Sequence, residues 1–231
     1  MKLLLGDNRD VLKDMPDGSV DLVVTSPPYD DLRTYNGYSF DFETVAQQIT
    51  RVMSDGAVCV WIVNDGTHKG SETGSSFRQA LHFKDVCGLR LHDTMIWNKG
   101  EFSSVGDLRV RYAPVFEYMF VLSKGAPKTF NPIRDIPNKH AGERMHGTKR
   151  NTDGTMKPAS TIGKLVADYG QRHNVWVQTA VKNNRGSLSH PAPFPENLAA
   201  DHIRSWSNPG DTVLDPFMGR GTTGRAARLL G

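Results

Sequence analysis

Cysteine is scarce in this sequence, and its two occurrences, Cys59 and Cys87, each stand beside apolar neighbours. They form neither a Cys-x-x-Cys pair nor a set of spaced partners, which excludes a disulfide-stapled secreted scaffold. The eight histidines lack the His-x-x-x-His and Cys-His spacings that hold zinc, so no metal site is expected. Both cysteines are therefore predicted to be reduced core residues.

Long hydrophobic runs are also missing. The N-terminal leucines at 3–5 are followed at once by Gly6 and Asp7, too early for a signal peptide. No later stretch approaches the roughly 20 apolar residues of a membrane span, so we expect a soluble intracellular protein with no membrane partner. The 231 residues suffice for one α/β domain with an added subdomain, but not for two full-sized domains.

Charge of one sign does not dominate the whole chain, whose net charge is +3, but its distribution is uneven. Residues 124–185 contain twelve Lys and Arg against four acids, a balance of +8 that leaves −5 for the remainder. Such a basic segment favours a polyanionic partner, because Lys and Arg gain by neutralising phosphates and releasing counterions. A merely solvated loop face would give the same count, and charge alone leaves that alternative open.

Short apolar runs alternate with helical patterns along much of the chain. The runs are rich in β-branched or aromatic residues and predict strands at 3–5, 20–25, 57–63, 94–97, 115–122 and 212–214. Helices are predicted at 10–15, 42–53, 76–86 and 196–206. This alternation indicates an α/β fold with a mostly parallel twisted sheet and helices on both faces. The strand at 117–122 follows 94–97 with only a loop between, so an antiparallel strand is expected near one edge.

Residues 131–186 break the alternation, since Gly, Pro, Lys, Asn and His dominate and apolar runs are few before Val175-Trp176-Val177. We interpret this stretch as an irregular basic insertion outside the sheet. The predicted organisation is one domain in two halves, 1–125 and 187–231, separated by an insertion at 126–186.

A glycine motif near the C-terminus indicates a ligand site. The apolar run 212–214 leads through Asp215-Pro216-Phe217-Met218 into Gly219-Arg220-Gly221-Thr222-Thr223-Gly224 and then a helix-forming stretch. Glycines allow a tight turn and close approach to a ligand, and the following helix offers unpaired N–H groups to a carboxylate or phosphate. A dinucleotide enzyme would need an acidic residue about 20 positions further on, and the sequence stops before that point.

A second signal is Ser26-Pro27-Pro28-Tyr29, which follows the strand at 20–25. Ligands of open α/β sheets bind at the carboxyl ends of strands. The two prolines fix φ and remove two N–H donors, which holds the neighbouring carbonyls rigidly as acceptors. This arrangement suits an amino group on a planar base, with Ser26 accepting its hydrogen and Tyr29 stacking on the ring. A Pro-Pro turn with Tyr29 packed on the core is the structural alternative.

Taken together, the two motifs resemble those of the β-class S-adenosylmethionine-dependent DNA amino-methyltransferases, in which the catalytic motif precedes the cofactor motif. Further stretches resemble the same family: Gly6-Asp7, Ile96-Trp97-Asn98-Lys99, Phe116-Glu117-Tyr118, Ser123-Lys124-Gly125 and His190-Pro191-Ala192-Pro193-Phe194-Pro195. The resemblance covers nearly the whole chain. It implies a Rossmann-like methyltransferase fold, S-adenosylmethionine as cofactor, duplex DNA as partner and a location in the cytoplasm.

The resemblance also implies roles for particular residues. The catalytic group would be Ser26, Pro27, Pro28 and Tyr29. The cofactor pocket would contain Asp7 toward the adenine, Asp215, Phe217, Gly219 and Gly221 around the methionine end, and His190, Pro191, Phe194 and Pro195. Thr222 and Thr223 would cap the helix that faces the cofactor carboxylate. Within the insertion, Arg134, Lys139, Arg144, Lys149 and Arg150 would contact DNA phosphates or guanines.

In this interpretation the target base leaves the duplex and its amine attacks the methyl group directly in line. Serine at position 26 resembles the cytosine-N4 enzymes, whereas adenine-N6 enzymes more often have Asp there. Three alternatives remain open: adenine-N6 methylation, a non-catalytic DNA-binding protein with this fold, and methylation of RNA or of a protein glutamine.

The sequence departs from the family in one respect. Family members continue beyond the glycine-loop helix into a strand with an acid for the cofactor ribose, whereas this sequence ends at Gly231. Weaker cofactor binding or inactivity would be a consequence. The family also leads us to expect a homodimer.

Overall fold

The computed structural model describes residues 1–28, 40–101, 107–179 and 194–231. Its helices are α1 (Asn8–Lys13), α2 (Phe42–Val52), α3 (Ser75–Asp85), α4 (Glu196–Trp206) and α5 (Thr222–Leu230). Its strands are β1 (Val20–Thr25), β2 (Met53–Val63), β3 (Thr67–His68), β4 (Ser71–Glu72), β5 (Arg90–Asn98), β6 (Phe116–Ser123), β7 (Arg134–Pro137), β8 (Thr148–Arg150), β9 (Met156–Pro158), β10 (Tyr169–Gln171), β11 (Val175–Val177) and β12 (Val213–Leu214). No helix in the described ranges is long and apolar enough to cross a membrane.

Six strands form one sheet in the order β11-β5-β6-β2-β1-β12. The pairs β11–β5, β2–β1 and β1–β12 are parallel, while β6 is antiparallel to both of its neighbours. The predicted mostly parallel α/β sheet and the antiparallel pairing of 94–97 with 117–122 are therefore confirmed. The antiparallel strand β6 is the third strand from one edge of the sheet, since β5 and β11 lie outside it.

Helices cover both faces of this sheet. On one face, α2 buries Val45, Ala46, Ile49 and Val52, a spacing that places them on one side of a helix. They pack in a cluster with Trp61 of β2, whose indole N–H donates to Gln79 of α3 at 2.9 Å. On the other face, α4 presents the buried His202, whose Nε2 lies 3.2 Å from the sulfur of Met119 in β6.

The N-terminal leucines do not form the predicted strand. Residues 1–5 have no regular structure, and Leu3, Leu4 and Leu5 are exposed. A strand needs a neighbour to pair its N–H and C=O groups. Within the described part of the chain, β12 forms an edge of the sheet, and residues 1–5 do not pair with it.

The basic insertion is shorter and more regular than the sequence indicates. The structure has a compact unit at 132–173, while 1–131 and 174–231 form the other unit. Two strand pairs, β7 with β10 and β8 with β9, occur in the smaller unit, so it is not simply irregular. The interpretation that 131–186 lies outside the sheet is wrong for β11, which pairs with β5. These short strands escape sequence analysis because their exposed residues show no apolar alternation.

Gly56 provides a test of how tightly β2 is packed. Its φ is +77°, and a Cβ there would lie 2.8 Å from Cβ of Lys128 and 3.0 Å from the Lys128 nitrogen. Gly56→Ala should therefore lower the free energy of unfolding by about 3 kcal/mol, through backbone strain and a clash together. Gly88→Ala is the matched control, because Gly88 has φ +76° but open space around it. Gly88→Ala should lower the free energy of unfolding by only about 1 kcal/mol, from backbone strain alone. Equal losses for the two variants in urea denaturation would contradict this packing.

Candidate functional site

The two sequence motifs meet at one edge of the sheet. Strands β1, β2 and β12 are parallel, so their carboxyl ends lie together; we call this side the carboxyl edge. Ser26, Pro27 and Pro28 directly follow β1, and Asp215 directly follows β12. The Thr25 hydroxyl donates a hydrogen bond of 2.6 Å to Oδ1 of Asp215. Residues separated by 190 positions in the chain are thus joined at the point where ligands of such sheets bind.

Asp215 is held in position by several donors. Besides Thr25, the backbone N–H of Phe217 donates to the same carboxylate oxygen at 3.1 Å. Burial raises the pKa of Asp215 above its ordinary value, although the hydrogen bonds from Thr25 and Phe217 act in the opposite direction. A carboxylate in such surroundings gains from a bound cation, which would restore the favourable charge interaction that water no longer supplies.

The glycine loop turns sharply into α5. Gly219 and Gly221 have φ of +50° and +75°, a left-handed backbone that glycine adopts without a steric penalty. Gly221 is the N-cap of α5 and supplies no side chain to cap it. The prediction that Thr222 and Thr223 cap this helix is therefore wrong. Both lie inside the helix, and the Thr223 hydroxyl donates instead to the Val24 carbonyl of β1 at 3.0 Å.

This cap leaves the first turn of α5 available to an anion. The first N–H groups of an α-helix have no partner within it, and among the described residues the N-cap position supplies no side chain in their place. They carry the positive end of the helix dipole, so a carboxylate or phosphate is favoured at this position.

A groove of about 710 Å³ adjoins these residues. Its wall includes Asp215, Met218 and Thr223 from the glycine loop and its helix, and Gly6 and Asn8 from the N-terminal segment. Its volume falls within the range of about 300–1,000 Å³ that is typical of small-molecule pockets. The lining combines many apolar side chains with the half-buried carboxylate of Asp215, a composition typical of a site for an organic ligand with a charged end.

Asp7 stands between two residues that line this groove, Gly6 and Asn8. It is the N-cap of α1 and accepts from the Arg9 backbone N–H at 2.9 Å. The Arg9 guanidinium also binds it through two nitrogens, at 3.0 and 2.8 Å. These contacts with Arg9 lower the pKa of Asp7 to about 2, so it is a carboxylate at any physiological pH. Its role toward the adenine stays a prediction.

The structure describes some of the aromatic and proline residues of the predicted site and not others. The Phe217 ring packs on Phe40 and Trp61, with centroids 5.3 and 6.1 Å away, so its side chain belongs to the core. Phe194 and Pro195 are buried, and Pro195 begins α4 as its N-cap. Tyr29, His190 and Pro191 lie outside the described residues.

Comparison with known proteins identifies the family of this chain. A family model described as DNA methylase, for N6 and N4 methyltransferases, matches residues 20–231. This chain belongs to the N6/N4 DNA methylase family. The orphan methyltransferase M.BamHII of Bacillus amyloliquefaciens is 51% identical over 222 residues, which cover 92% of this methylase and 81% of that relative. The Type II methyltransferase M.BglII of Bacillus subtilis is 29% identical over 99% of the chain, which spans 62% of its length.

Solved structures confirm the fold of the methylase. The cytosine-N4-specific PvuII DNA methyltransferase superposes with a TM-score of 0.68 at 20% identity, covering 98% of this chain and 77% of that one. The complex of M1.HpyAVI with SAM superposes with a TM-score of 0.57 at 20% identity, covering 97% and 86%. The Rossmann-like methyltransferase fold expected from the resemblance is therefore confirmed.

The five predicted DNA contacts of the methylase all lie exposed in the unit 132–173: Arg134, Lys139, Arg144, Lys149 and Arg150. This unit has eight Lys and Arg against four acids. The exposed Arg144 guanidinium donates a hydrogen bond to the Gly163 carbonyl at 2.8 Å. In the described ranges no carboxylate pairs with Lys149 or Arg150, which leaves both charges available at the surface.

Sequence reasoning missed Thr25 as a site residue. Its hydroxyl links the two motifs, and its side chain is fully buried. A signal was present, since a threonine at the last position of an apolar strand can send its hydroxyl along the carboxyl edge. Only the pairing of β1 beside β12 shows what that hydroxyl meets.

Proposed function

We propose that this DNA methylase transfers the methyl group of S-adenosylmethionine to cytosine N4 in duplex DNA. The hydrogen bond from Thr25 to Asp215 carries the proposal, because it joins the segment that would bind the base to the segment that would bind the cofactor. Two reactants held at one edge react far faster than free ones, since their encounter no longer costs translational and rotational entropy.

The described residues fit this cofactor. Asp215 suits the ammonium of its methionine end, and the uncapped first turn of α5 suits the carboxylate. The apolar groove beside Gly6 and Asn8 suits the nucleoside, where Asp7 would accept from the adenine amine. The stretch at 190–195 would complete this pocket. When bound, S-adenosylmethionine supplies a methyl group on a positively charged sulfur.

Ser26 and Pro27 would prepare the target amine. An exocyclic amine is a poor nucleophile because its lone pair is delocalised into the ring. Hydrogen bonds from its N–H groups to the Ser26 hydroxyl and the Pro27 carbonyl favour a pyramidal nitrogen with a localised lone pair. The base must first leave the duplex, at a cost of roughly a few kcal/mol, and Tyr29 would stack on it in the site.

Cytosine is the proposed base because serine at position 26 resembles the cytosine-N4 enzymes, whereas adenine-N6 enzymes more often have aspartate there. A serine hydroxyl is a neutral acceptor that can also donate, whereas a carboxylate only accepts. It can therefore donate to the adjacent N3 of cytosine or accept from its amine. Adenine N6 is the second candidate, since its amine has a similar ring-nitrogen neighbour.

The unit 132–173 is proposed to hold the DNA. Lys149 and Arg150 lie in β8 with both side chains exposed, and phosphate neutralisation by such groups makes binding depend on salt. The double variant Lys149→Gln, Arg150→Gln should reduce the slope of log affinity against log salt by about 1.8, two contacts at about 0.9 each. A slope equal to that of wild type would show that neither residue contacts phosphate.

An acceptor competition tests the function. The protein is incubated with S-adenosylmethionine that has a labelled methyl group, and duplex DNA, RNA or a glutamine-containing protein is added as acceptor. We expect label in DNA, and we expect unlabelled duplex DNA alone to suppress it. Label in RNA or protein would contradict the proposal. Binding of duplex DNA without any transfer would favour the non-catalytic alternative.

A further inference from the structure

Lys69 holds a backbone conformation that lysine rarely adopts. It lies at the tip of the hairpin formed by β3 and β4 and has φ of +47°, the only positive φ outside glycine among the described residues. Gly70 follows with φ of +81°, so both central residues of this two-residue turn are left-handed. Asn, Asp and Gly are the usual first residues of such a turn. A lysine in this place is an observed outlier that calls for a functional reason.

The base of the hairpin is firmly anchored. Asp65 accepts from the Ser76 hydroxyl at 2.6 Å, the Ser76 backbone N–H at 3.0 Å and the Thr73 hydroxyl at 3.2 Å. Burial acts to raise the pKa of Asp65, but these hydrogen bonds outweigh it and hold the pKa below its ordinary value. The backbone N–H of Thr73 closes the loop on the Gly66 carbonyl at 2.9 Å.

The hairpin is also braced from the side. The Arg111 guanidinium donates to the Thr67 hydroxyl at 3.0 Å and to the Gly70 carbonyl at 2.7 Å. Arg111 lies in the loop between β5 and β6, so this loop supports the tip of the hairpin. The three exposed residues His68, Lys69 and Gly70 are thus presented on a hairpin that hydrogen bonds hold at its base and at its tip.

This hairpin follows a strand that ends at the carboxyl edge, where the proposed base-binding segment also begins. It follows β2, which is hydrogen-bonded to β1 in parallel register, with Thr25 opposite Trp61. The chain leaves β1 through Ser26, Pro27 and Pro28 at the same edge. Neighbouring strands are about 4.8 Å apart, so the two segments begin close together.

We propose that the hairpin Thr67–Glu72 is a further DNA-binding surface, in which Lys69 neutralises a backbone phosphate near the target base. The inference rests on the proposed function for the target base, and it adds a contact outside the unit 132–173. Phosphate contacts fix the register of a protein on the duplex, which a base-extruding enzyme needs at the site of extrusion. Arg111 is a positioning residue that holds the hairpin.

The test is the salt dependence of duplex DNA binding by the full chain. Lys69→Asn removes the charge but keeps a residue that accepts the left-handed turn. The slope of log affinity against log salt should fall by about 0.9, which corresponds to about 8-fold weaker binding at 0.1 M salt. Thermal unfolding of Lys69→Asn should occur at or above the wild-type temperature, because asparagine relieves the backbone strain.

Two controls isolate the charge at this position. Lys69→Arg should keep the wild-type slope. Lys84→Gln should also keep it, because Lys84 lies near the end of α3, away from the carboxyl edge, and pairs with Asp85 at 2.8 Å. A wild-type slope in Lys69→Asn would overturn this inference and leave the proposed function standing. Wild-type protein that binds duplex DNA without salt dependence would contradict the proposed function, and this inference with it.

Discussion

Ser26→Ala should reduce kcat for methyl transfer by about 100- to 1,000-fold, the range measured when one preorganised hydrogen-bonding group is removed from an active site. Ser26 directly follows β1 at the carboxyl edge, where alanine cannot accept a hydrogen from the target amine. The KM for S-adenosylmethionine should stay near its wild-type value, because the proposed cofactor contacts lie on the glycine loop and the N-terminal segment. Steady-state kinetics with saturating duplex DNA measure both quantities.

Ser26→Asp is the matched control for this prediction. The carboxylate restores an acceptor at the same position, so it should recover a substantial part of the rate lost in alanine. Thermal unfolding of both variants shows whether the fold is kept. Wild-type kcat in Ser26→Ala would remove Ser26 from the mechanism, and an equal loss in both variants would indicate a packing role instead.

Asp215→Asn should weaken S-adenosylmethionine binding by about 10- to 100-fold, since a hydrogen bond to a charged group contributes about 1.5–3 kcal/mol. The asparagine oxygen can still accept from the Thr25 hydroxyl and the Phe217 N–H, so the link between the two motifs should survive. The variant therefore removes the charge that would face the cofactor ammonium and leaves the scaffold in place. Isothermal titration with the cofactor measures the loss.

The same variant should make the ligand-free protein more stable at neutral pH. Burial raises the pKa of Asp215 in the folded state, so its ionised form opposes folding. The protonated form of Asp215 therefore favours folding. This stabilisation is fully present below the unfolded pKa, near 3.8, and is lost as pH rises through the higher folded value. The unfolding temperature of Asp215→Asn should exceed that of wild type at pH 7, and the difference should shrink toward pH 4. A less stable variant with unchanged cofactor affinity would contradict both parts.

Much of the sheet could be predicted because its signals are local. Strand β1 is a continuous apolar run, and α4 shows its helical spacing between 196 and 206, which are its observed bounds. Strand β11 could not be recognised, because three residues inside a polar stretch have too little pattern and owe their conformation to pairing with β5. The leucines at 3–5 show the opposite case, in which a good strand sequence stays exposed and unpaired although β12 has an open edge among the described residues.

The candidate site likewise contains features that could be predicted from the sequence and features that could not. Glycines at 219 and 221 could be read from the sequence because only glycine adopts their backbone angles readily. The true cap of α5 and the contacts of Thr223 could not be read from the sequence. A threonine hydroxyl can hydrogen-bond within its own helix or to a neighbouring strand, and the fold decides between these partners. The role of Thr25 depends on the long-range pairing of β1 with β12, and the inferred role of Lys69 depends on its backbone angle. Neither property is visible in a single sequence.

The identity of the methylated nucleoside shows which base the protein modifies and at which atom. Mixed-sequence duplex DNA is treated with the wild-type protein and S-adenosylmethionine, digested to nucleosides and separated by mass. We expect N4-methylcytosine as the product, lost in Ser26→Ala and reduced in Asp215→Asn at low cofactor concentration. N6-methyladenine in its place would contradict the assignment of cytosine, and methylation at a ring carbon would contradict the mechanism of amine activation.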